Sequence, residues 1–241
     1  MRGFVDLHCH WIPKVDDGAR SLDEARDLLR GLRELGFELV VGTPHMRPGL
    51  FDRSRAELVA AFQAAEVDLA PEPGLPRLAL SAEHYFDDVV FSRLLAGEGI
   101  PYPSGRAVLL EFYEIDFPPS VTFRLADLRR RGLLPIVAHP ERYPAIGRNP
   151  AVLERLLDVG AAALLDLGAL ADRYGRGPRR TAEKLLEQGH YHAACSDAHG
   201  PGDLRAVGAG MRRLAKRWGD EELDYLLCEG PRALLAGELL T

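Results

Sequence analysis

Short runs of Val, Leu, Ile and Ala recur along this chain, and the stretches between them carry apolar residues at helical spacing. The runs are Phe4 to Leu7, Leu39 to Val41, Leu78 to Leu80, Val108 to Leu110, Ile136 to Ala138, Ala162 to Leu165 and Ala193 to Cys195. Each has the length of a buried strand. A strand followed by a helix, repeated about seven times, predicts parallel strands joined by crossover helices. An α/β barrel or near-barrel follows. At 241 residues the chain suits one barrel around one core, so residues 1–241 are expected to form a single domain.

Local signals place the helices. Ser21 and Glu24 have capping-box spacing, and Leu22, Ala25, Leu28, Leu29, Leu32 and Leu35 trace one apolar face up to Gly36. Ser54 and Glu57 open a second helix through Leu58, Phe62 and Ala65, which the stretch Pro71 to Pro76 ends. Asn149-Pro150 predicts a capped start, and Gly160 a left-handed stop. Further helices are expected over Val121 to Arg131, Arg179 to Gln188 and Leu204 to Trp218, with surface turns at Phe117 to Ser120 and Tyr174 to Pro178.

Composition narrows the partners. A net charge of −6 with no block of like charges is not the footprint of a nucleic-acid or anionic-membrane binder. No apolar run approaches the roughly 20 residues needed to span a bilayer, and Met1 to His8 has no signal-peptide pattern; the expectation is a cytoplasmic protein without membrane insertion. Cys9, Cys195 and Cys228 are too few and scattered for a disulfide framework or thiolate zinc site and read as packing residues.

Chemistry-bearing residues cluster where the strands end. Val5-Asp6-Leu7 runs into His8-Cys9-His10, Thr43-Pro44 into His45, Ser81-Ala82 into Glu83, Leu110 into Glu111, Ala138 into His139, and Cys195-Ser196 into Asp197 and His199. In (β/α) barrels the carboxyl ends of the strands share one face, where active sites are built. Alternation along a strand points His8 and His10 one way and Cys9 the other. The loop Asp16-Asp17-Gly18 reads as a turn, or as one that returns Asp17 to the same face. His8, His10, Asp17, His45, Glu83, Glu111, His139, Asp197 and His199 thus supply five imidazoles and four carboxylates. Such a set suits manganese, iron, cobalt or zinc and is too rich for one four-coordinate ion. Two or three divalent ions are expected, with Glu83 able to bridge them and a shared water activated as the nucleophile. His84, His190 and His192 lack such partners and read as structural or surface residues, while Asp6 and Asp166 are not expected to be ligands.

These segments resemble the PHP (polymerase and histidinol phosphatase) superfamily. The resemblance rests on Asp6-Leu7-His8-Cys9-His10, Val15 to Gly18, Thr43-Pro44-His45, Ala82 to Tyr85, Leu110-Glu111-Phe112, Ala138 to Tyr143 and Ser196 to His199, and extends to Gly230 to Leu235. Within the superfamily the chain is most similar to manganese-dependent tyrosine phosphatases of bacterial capsular and exopolysaccharide operons. The resemblance implies a distorted, TIM-like (β/α)7 barrel, the same nine ligands around three metals, and hydrolysis of phosphotyrosine on a partner tyrosine autokinase. It also implies that Arg142 binds the phosphate, where a guanidinium fork stabilises charge developing in the transition state. Arg47 is a second candidate at the phosphate mouth, and Phe51, Phe112, Tyr113 and Tyr143 are candidates for an aromatic rim. Two segments depart from the pattern: Leu165 to Ala169, where a more polar strand end is expected, and Ser81 to His84, in place of a glycine-rich approach.

Other readings stay open on this evidence. A small-metabolite phosphatase of the histidinol-phosphate type would use the same metals, and a non-catalytic regulatory module would keep the fold alone. Cysteine-based phosphatase chemistry is excluded, since the residues six positions after Cys9, Cys195 and Cys228 are Val15, Pro201 and Leu234 rather than Arg. No glycine-rich phosphate loop ending in Lys-Ser or Lys-Thr is present.

Overall fold

The computed structural model describes residues 3–113, 117–118 and 120–240. In chain order the elements are β1 (Phe4–Cys9), α1 (Leu22–Glu34), β2 (Phe37–Gly42), β3 (His45–Met46), α2 (Arg55–Leu69), β4 (Arg77–Leu80), β5 (Glu83–Tyr85), α3 (Asp88–Leu95), β6 (Ala107–Glu111) and α4 (Ser120–Arg130). There follow β7 (Leu134–Ala138), α5 (Pro144–Arg148), α6 (Ala151–Asp158), β8 (Ala162–Asp166), α7 (Leu167–Leu170), α8 (Arg176–Glu187), β9 (Ala193–Cys195), α9 (Leu204–Trp218), α10 (Asp220–Asp224) and α11 (Gly230–Ala236). A π-helical turn, Tyr225–Glu229, joins the last two helices.

Every strand pairing within the two sheets is parallel. One sheet has the order β1-β2-β4, the other β3-β5-β6-β7-β8-β9. The seven runs expected from the sequence therefore become nine strands, because two of them are broken. After Gly42 the chain passes Thr43-Pro44 before resuming as β3, and after Leu80 it passes Ser81-Ala82 before resuming as β5. Proline has no N–H for a ladder, and at each break the chain leaves one sheet and enters the other. A parallel bridge between Cys9 and Ala198 brings the end of β1 beside the segment after β9, with hydrogen bonds from His10 N–H to Ala198 O and from Asp197 N–H to His8 O.

Both strand faces are buried, as parallel sheets require. Leu7, Val41, Leu134, Ile136, Ala162 and Leu164 form an inner cluster, while Val40, Leu110, Val137, Ala163 and Leu165 pack under the helices. The α1 face forms as expected, with Leu28, Leu29 and Leu32 fully buried, each worth about 1.5–3 kcal/mol relative to exposure.

Capping differs between the first two helices. Ser54 and Glu57 make both reciprocal bonds of a capping box. Ser21 accepts from Glu24 N–H, but the Glu24 carboxylate turns to the Arg20 backbone and guanidinium, so the box expected there is half formed. Asn149 Oδ1 accepts from Ala151 N–H at 3.2 Å, and Pro150 stands at the N-cap, immediately before α6. Helix α8 starts at Arg176 rather than Arg179, because Pro178 is tolerated in a first turn, where its missing N–H has no partner to lose. Of the loop expected at Phe117 to Ser120, Ser120 opens α4 and Pro119 lies outside the described residues.

Candidate metal centre

Each strand end delivers its side chain to one place. His8 lies in β1 and His10 just after it, His45 opens β3, Glu83 opens β5, Glu111 closes β6, His139 follows β7, and Asp197 and His199 follow β9. His45 and Glu83 are direct register partners. The nine residues read from the sequence fall into four overlapping groups with ligand atoms within 4.8 Å of one another: His10, Asp17, His45, His199; His8, His10, Asp197; His8, Glu83, His139; and His45, Glu83, Glu111.

Glu83 and Asp197 are the hubs. Glu83 Oε2 lies 3.3 Å from His8 Nε2, 3.5 Å from His10 Nε2 and 3.0 Å from His45 Nδ1, while Oε1 lies 3.0 Å from His139 Nε2. Asp197 Oδ1 is 3.3 Å from His8 Nε2 and 3.5 Å from His10 Nε2. Asp17 reaches back from its loop, with Oδ1 3.4 Å from His45 Nε2 and 3.6 Å from His199 Nε2.

This donor set fits divalent cations. The Nε2 atoms of His8 and His10 face each other at 3.1 Å, and His45 Nδ1 and Glu111 Oε2 are buried without a hydrogen-bond partner among the described residues. His45 Nδ1 is close to Glu83, but the contact lacks hydrogen-bond alignment. Buried polar atoms left unpaired are costly, and a shared cation relieves several at once. Nitrogen and oxygen donors without thiolate match the borderline to hard divalent ions.

Without cations, protons must balance the cluster. Burial would raise the Glu83 pKa, but the charges of His8 and His45 hold it well below the usual carboxylate range. Burial and the Glu83 charge push Glu111 up to about 7. Burial lowers His45, yet Glu83 and Asp17 outweigh it and bring it to about 10. Burial and the Arg142 charge lower His139 to about 4. Cation binding would displace the protons on the ligating atoms. The backbone is strained here too: His139 and Asp197 have φ of 34° and 45°, a region costly for residues other than glycine.

Sequence reading missed the groups that orient these side chains. Asp16 Oδ2 accepts from His10 Nδ1 at 2.8 Å and His45 N–H at 3.1 Å, and its Oδ1 accepts from Gly18 N–H. Burial opposes its charge, but His10 prevails and holds its pKa at about 2. A Cβ on Gly18 would come within 2.0 Å of His10 O, so only glycine lets the turn close this tightly. Asp6 Oδ1 accepts from His8 N–H and Ser196 N–H, tying the first strand to the last. The Asp-Asp-Gly turn was a visible signal for Asp16; nothing local marked Asp6 as a tie.

Arg142 sits against the cluster. Its Nη1 donates to Asp197 Oδ2 at 2.6 Å, and its guanidinium lies 4.5 Å from the centre of the Tyr174 ring. Tyr174 Oη lies 3.4 Å from the same carboxylate oxygen, and Arg173 donates to Asp197 O. Glu141 does not pair with Arg142; it accepts from Asp166 N–H and the Tyr191 hydroxyl. Arg47 stacks over Tyr85 at 4.1 Å.

The aromatic rim needs correction. Tyr143 is 2% exposed and Phe112 3%, and the Tyr143 hydroxyl accepts from Phe112 N–H. Both rings are packed, Tyr143 against His139 and Phe112 against Phe86 and Phe117, so neither forms an exposed rim at the mouth. Phe51 stacks parallel to His45 at 5.2 Å, and Tyr113 is 58% exposed; these two remain available, and Tyr85 joins them. The other expected structural residues behave as read. His84 Nδ1 donates to Leu109 O while its Nε2 accepts from Ile100 N–H, His192 Nδ1 accepts from Ala163 N–H, and Cys9, Cys195 and Cys228 are buried thiols outside any disulfide.

Comparison with known proteins places this geometry. A family model for capsular polysaccharide synthesis, CpsB/CapC, matches residues 4–236. The tyrosine-protein phosphatase YwqE of Bacillus subtilis is 28% identical over 237 residues, covering 98% of this chain and 93% of that protein. The tyrosine-protein phosphatase CpsB of Streptococcus pneumoniae is 25% identical over 247 residues, covering 98% and 100%. A crystal structure from work on these two, described as unique metal-dependent tyrosine phosphatases, superposes with a TM-score of 0.90 at 27% identity, covering 98% of this chain and 96% of that one. A match over nearly the whole length, in sequence and in fold, establishes that the chain belongs to the CpsB/CapC capsular polysaccharide synthesis family.

Proposed function

We propose that this protein hydrolyses phosphotyrosine on a protein, as a single metal-dependent catalytic domain, and that its physiological partner is a tyrosine autokinase of polysaccharide synthesis. The observation that carries the reading is the meeting of nine nitrogen and oxygen donors at one rim, with Arg142 bonded to one of them. His8, His10, Asp17, His45, Glu83, Glu111, His139, Asp197 and His199 would hold two or three cations, manganese by preference. When bound, these supply water activation and neutralise phosphoryl charge. Support for a closed, distorted seven-stranded barrel comes from the bridge of Cys9 to Ala198. Among the described residues no helix is long and apolar enough to cross a membrane; the cytoplasmic location is part of the proposal.

The chain's own residues do the remaining work. Asp16 fixes the His10 ring by accepting from Nδ1, which aims Nε2 at the centre. Arg142 is held by Asp197 and by the Tyr174 face, so its fork is oriented before a phosphate arrives and loses little freedom on binding one. Its remaining N–H groups stabilise charge growing on the phosphoryl oxygens. A tyrosinate, with a pKa of about 10, leaves as an anion more readily than an alkoxide, which suits an aryl phosphate. Phe51, Tyr85 and Tyr113 line the approach as ring partners, with Arg47 over Tyr85.

The test is hydrolysis by chelator-stripped protein before and after addition of manganese, with a phosphotyrosine peptide and histidinol phosphate as parallel substrates. Turnover restored by the metal and favouring the peptide supports the reading. Preference for histidinol phosphate would assign a metabolite phosphatase, and no turnover on either would leave a regulatory module.

A further inference from the structure

A groove of about 410 Å³ opens beside the candidate centre, where Arg142 forms part of its lining. Its lining includes Arg142, Tyr143, Arg148, Arg180 and Thr181. Arg148 closes α5 and Arg180 lies in α8. Both are exposed, and neither has an ion-pair partner among the described residues. The neighbouring Arg179 is spent on Asp172 and Glu183.

Nothing in the groove offsets these charges. Its acidic lining residue, Glu141, is 2% exposed and has both oxygens engaged, by Asp166 N–H and the Tyr191 hydroxyl. The larger cavity of about 740 Å³ near α2 is different: there Arg55 and Arg93 face Asp52, Glu57 and Glu98, and Arg93 is paired with Asp52. Arg148, in the last turn of α5, suits the dipole of that helix, but Arg180 does not serve its own: it lies early in α8, whose first turn carries no acidic residue, and positive charge near a helix N-terminus opposes the dipole. In a chain of net charge −6, an unpaired positive groove joined to Arg142 fits an anionic ligand.

We infer that this groove receives an acidic side chain flanking the phosphotyrosine of the substrate. The inference rests on the phosphotyrosine reading above and adds a sequence preference to it. Arg142, Arg148 and Arg180 line the same groove, so an Asp or Glu within a few positions of the phosphotyrosine is placed to meet Arg148 and Arg180 while the phosphate lies at Arg142.

Two measurements on the metal-loaded protein test this. One is the ratio of kcat/KM for a phosphotyrosine peptide with Asp and Glu flanks to that for the same peptide with Asn and Gln flanks. The other is fluorescence anisotropy of the same two peptides carrying phosphonomethyl-phenylalanine, which binds without being cleaved. Exposed ion pairs are individually weak, so two together predict a preference of about tenfold at low salt, carried mainly by KM. In the double variant Arg148→Ala and Arg180→Ala both ratios fall to near one, and Arg148→Glu with Arg180→Glu inverts them; high salt shrinks the parent's preference. Equal handling of both peptides by the parent, or a preference that survives charge reversal, overturns the inference and leaves the phosphatase reading intact. Anisotropy that prefers acidic flanks and loses it in the variants, with no cleavage of any phosphotyrosine peptide, sustains the groove and sinks the phosphatase reading.

Discussion

The strands of this protein begin in one kind of chemistry and end in another. Near their starts, Ala107, Leu134 and Ala162 are fully buried in an apolar inner cluster, with side chains that have nothing to ionise. At the far ends of the same strands stand Glu111, His139 and Asp166, each with a buried polar atom that has no hydrogen-bond partner among the described residues. There, too, are the left-handed backbone at His139 and Asp197 and a Glu111 pKa raised by burial and by Glu83. One end of each strand is packed for stability and the other gives some up. Strain and unpaired polar atoms survive only where the surrounding structure holds them in place, and the apolar starts of the strands do the holding.

Substitutions at the two ends should therefore separate activity from stability. The largest effect is expected for Glu83→Ala, which removes the carboxylate touching four histidines. Turnover should fall by more than about 100-fold, beyond the 10–100-fold typical of residues that merely orient a ligand, while the unfolding midpoint of the metal-free protein moves little. Retained turnover, or an unfolded variant, would break the comparison. Leu134→Ala is its mirror image: urea unfolding should show a loss of about 2–5 kcal/mol, with kcat per folded molecule kept.

Two smaller effects sharpen the boundary. Asp16→Asn leaves the fold intact but loosens His10 and His45, and calorimetric titration should show metal affinity lower by about 10–100-fold; parent-like affinity would make Asp16 a turn residue only. His84 lies one residue from Glu83 yet belongs to the packed region, with burial lowering its pKa to about 4. Its folded pKa is below the unfolded value, so between the two the unfolded chain holds more protons and stability falls as pH falls. Between pH 7 and pH 6 the parent should lose about 0.7 kcal/mol more than His84→Gln, which keeps a donor and an acceptor without the titrating proton. Parallel pH curves would show that His84 is not held neutral.

Much of this division was legible in the chain. The strand runs, the α1 face and the nine donors at strand ends are local patterns, and the structure brings all nine donors together. What was missed lies where a residue's role depends on distant partners. The breaks at Thr43-Pro44 and Ser81-Ala82 pass the chain from one sheet to the other, an exchange no single segment encodes. Tyr143 has the composition of a rim residue, but its hydroxyl is taken by Phe112 N–H from another strand end. Tyr174 reads as a turn residue until Arg142 is laid against its ring.

By itself the sequence determined which side chains carry chemistry and which end of each strand they occupy, because strand alternation and helix periodicity are properties of neighbouring residues. Only the tertiary structure decided which donors share an oxygen, which aromatic rings are buried and which arginines stay unpaired. Those outcomes depend on distances between segments far apart in the chain, and hydrogen bonding, desolvation and charge act through distance in space.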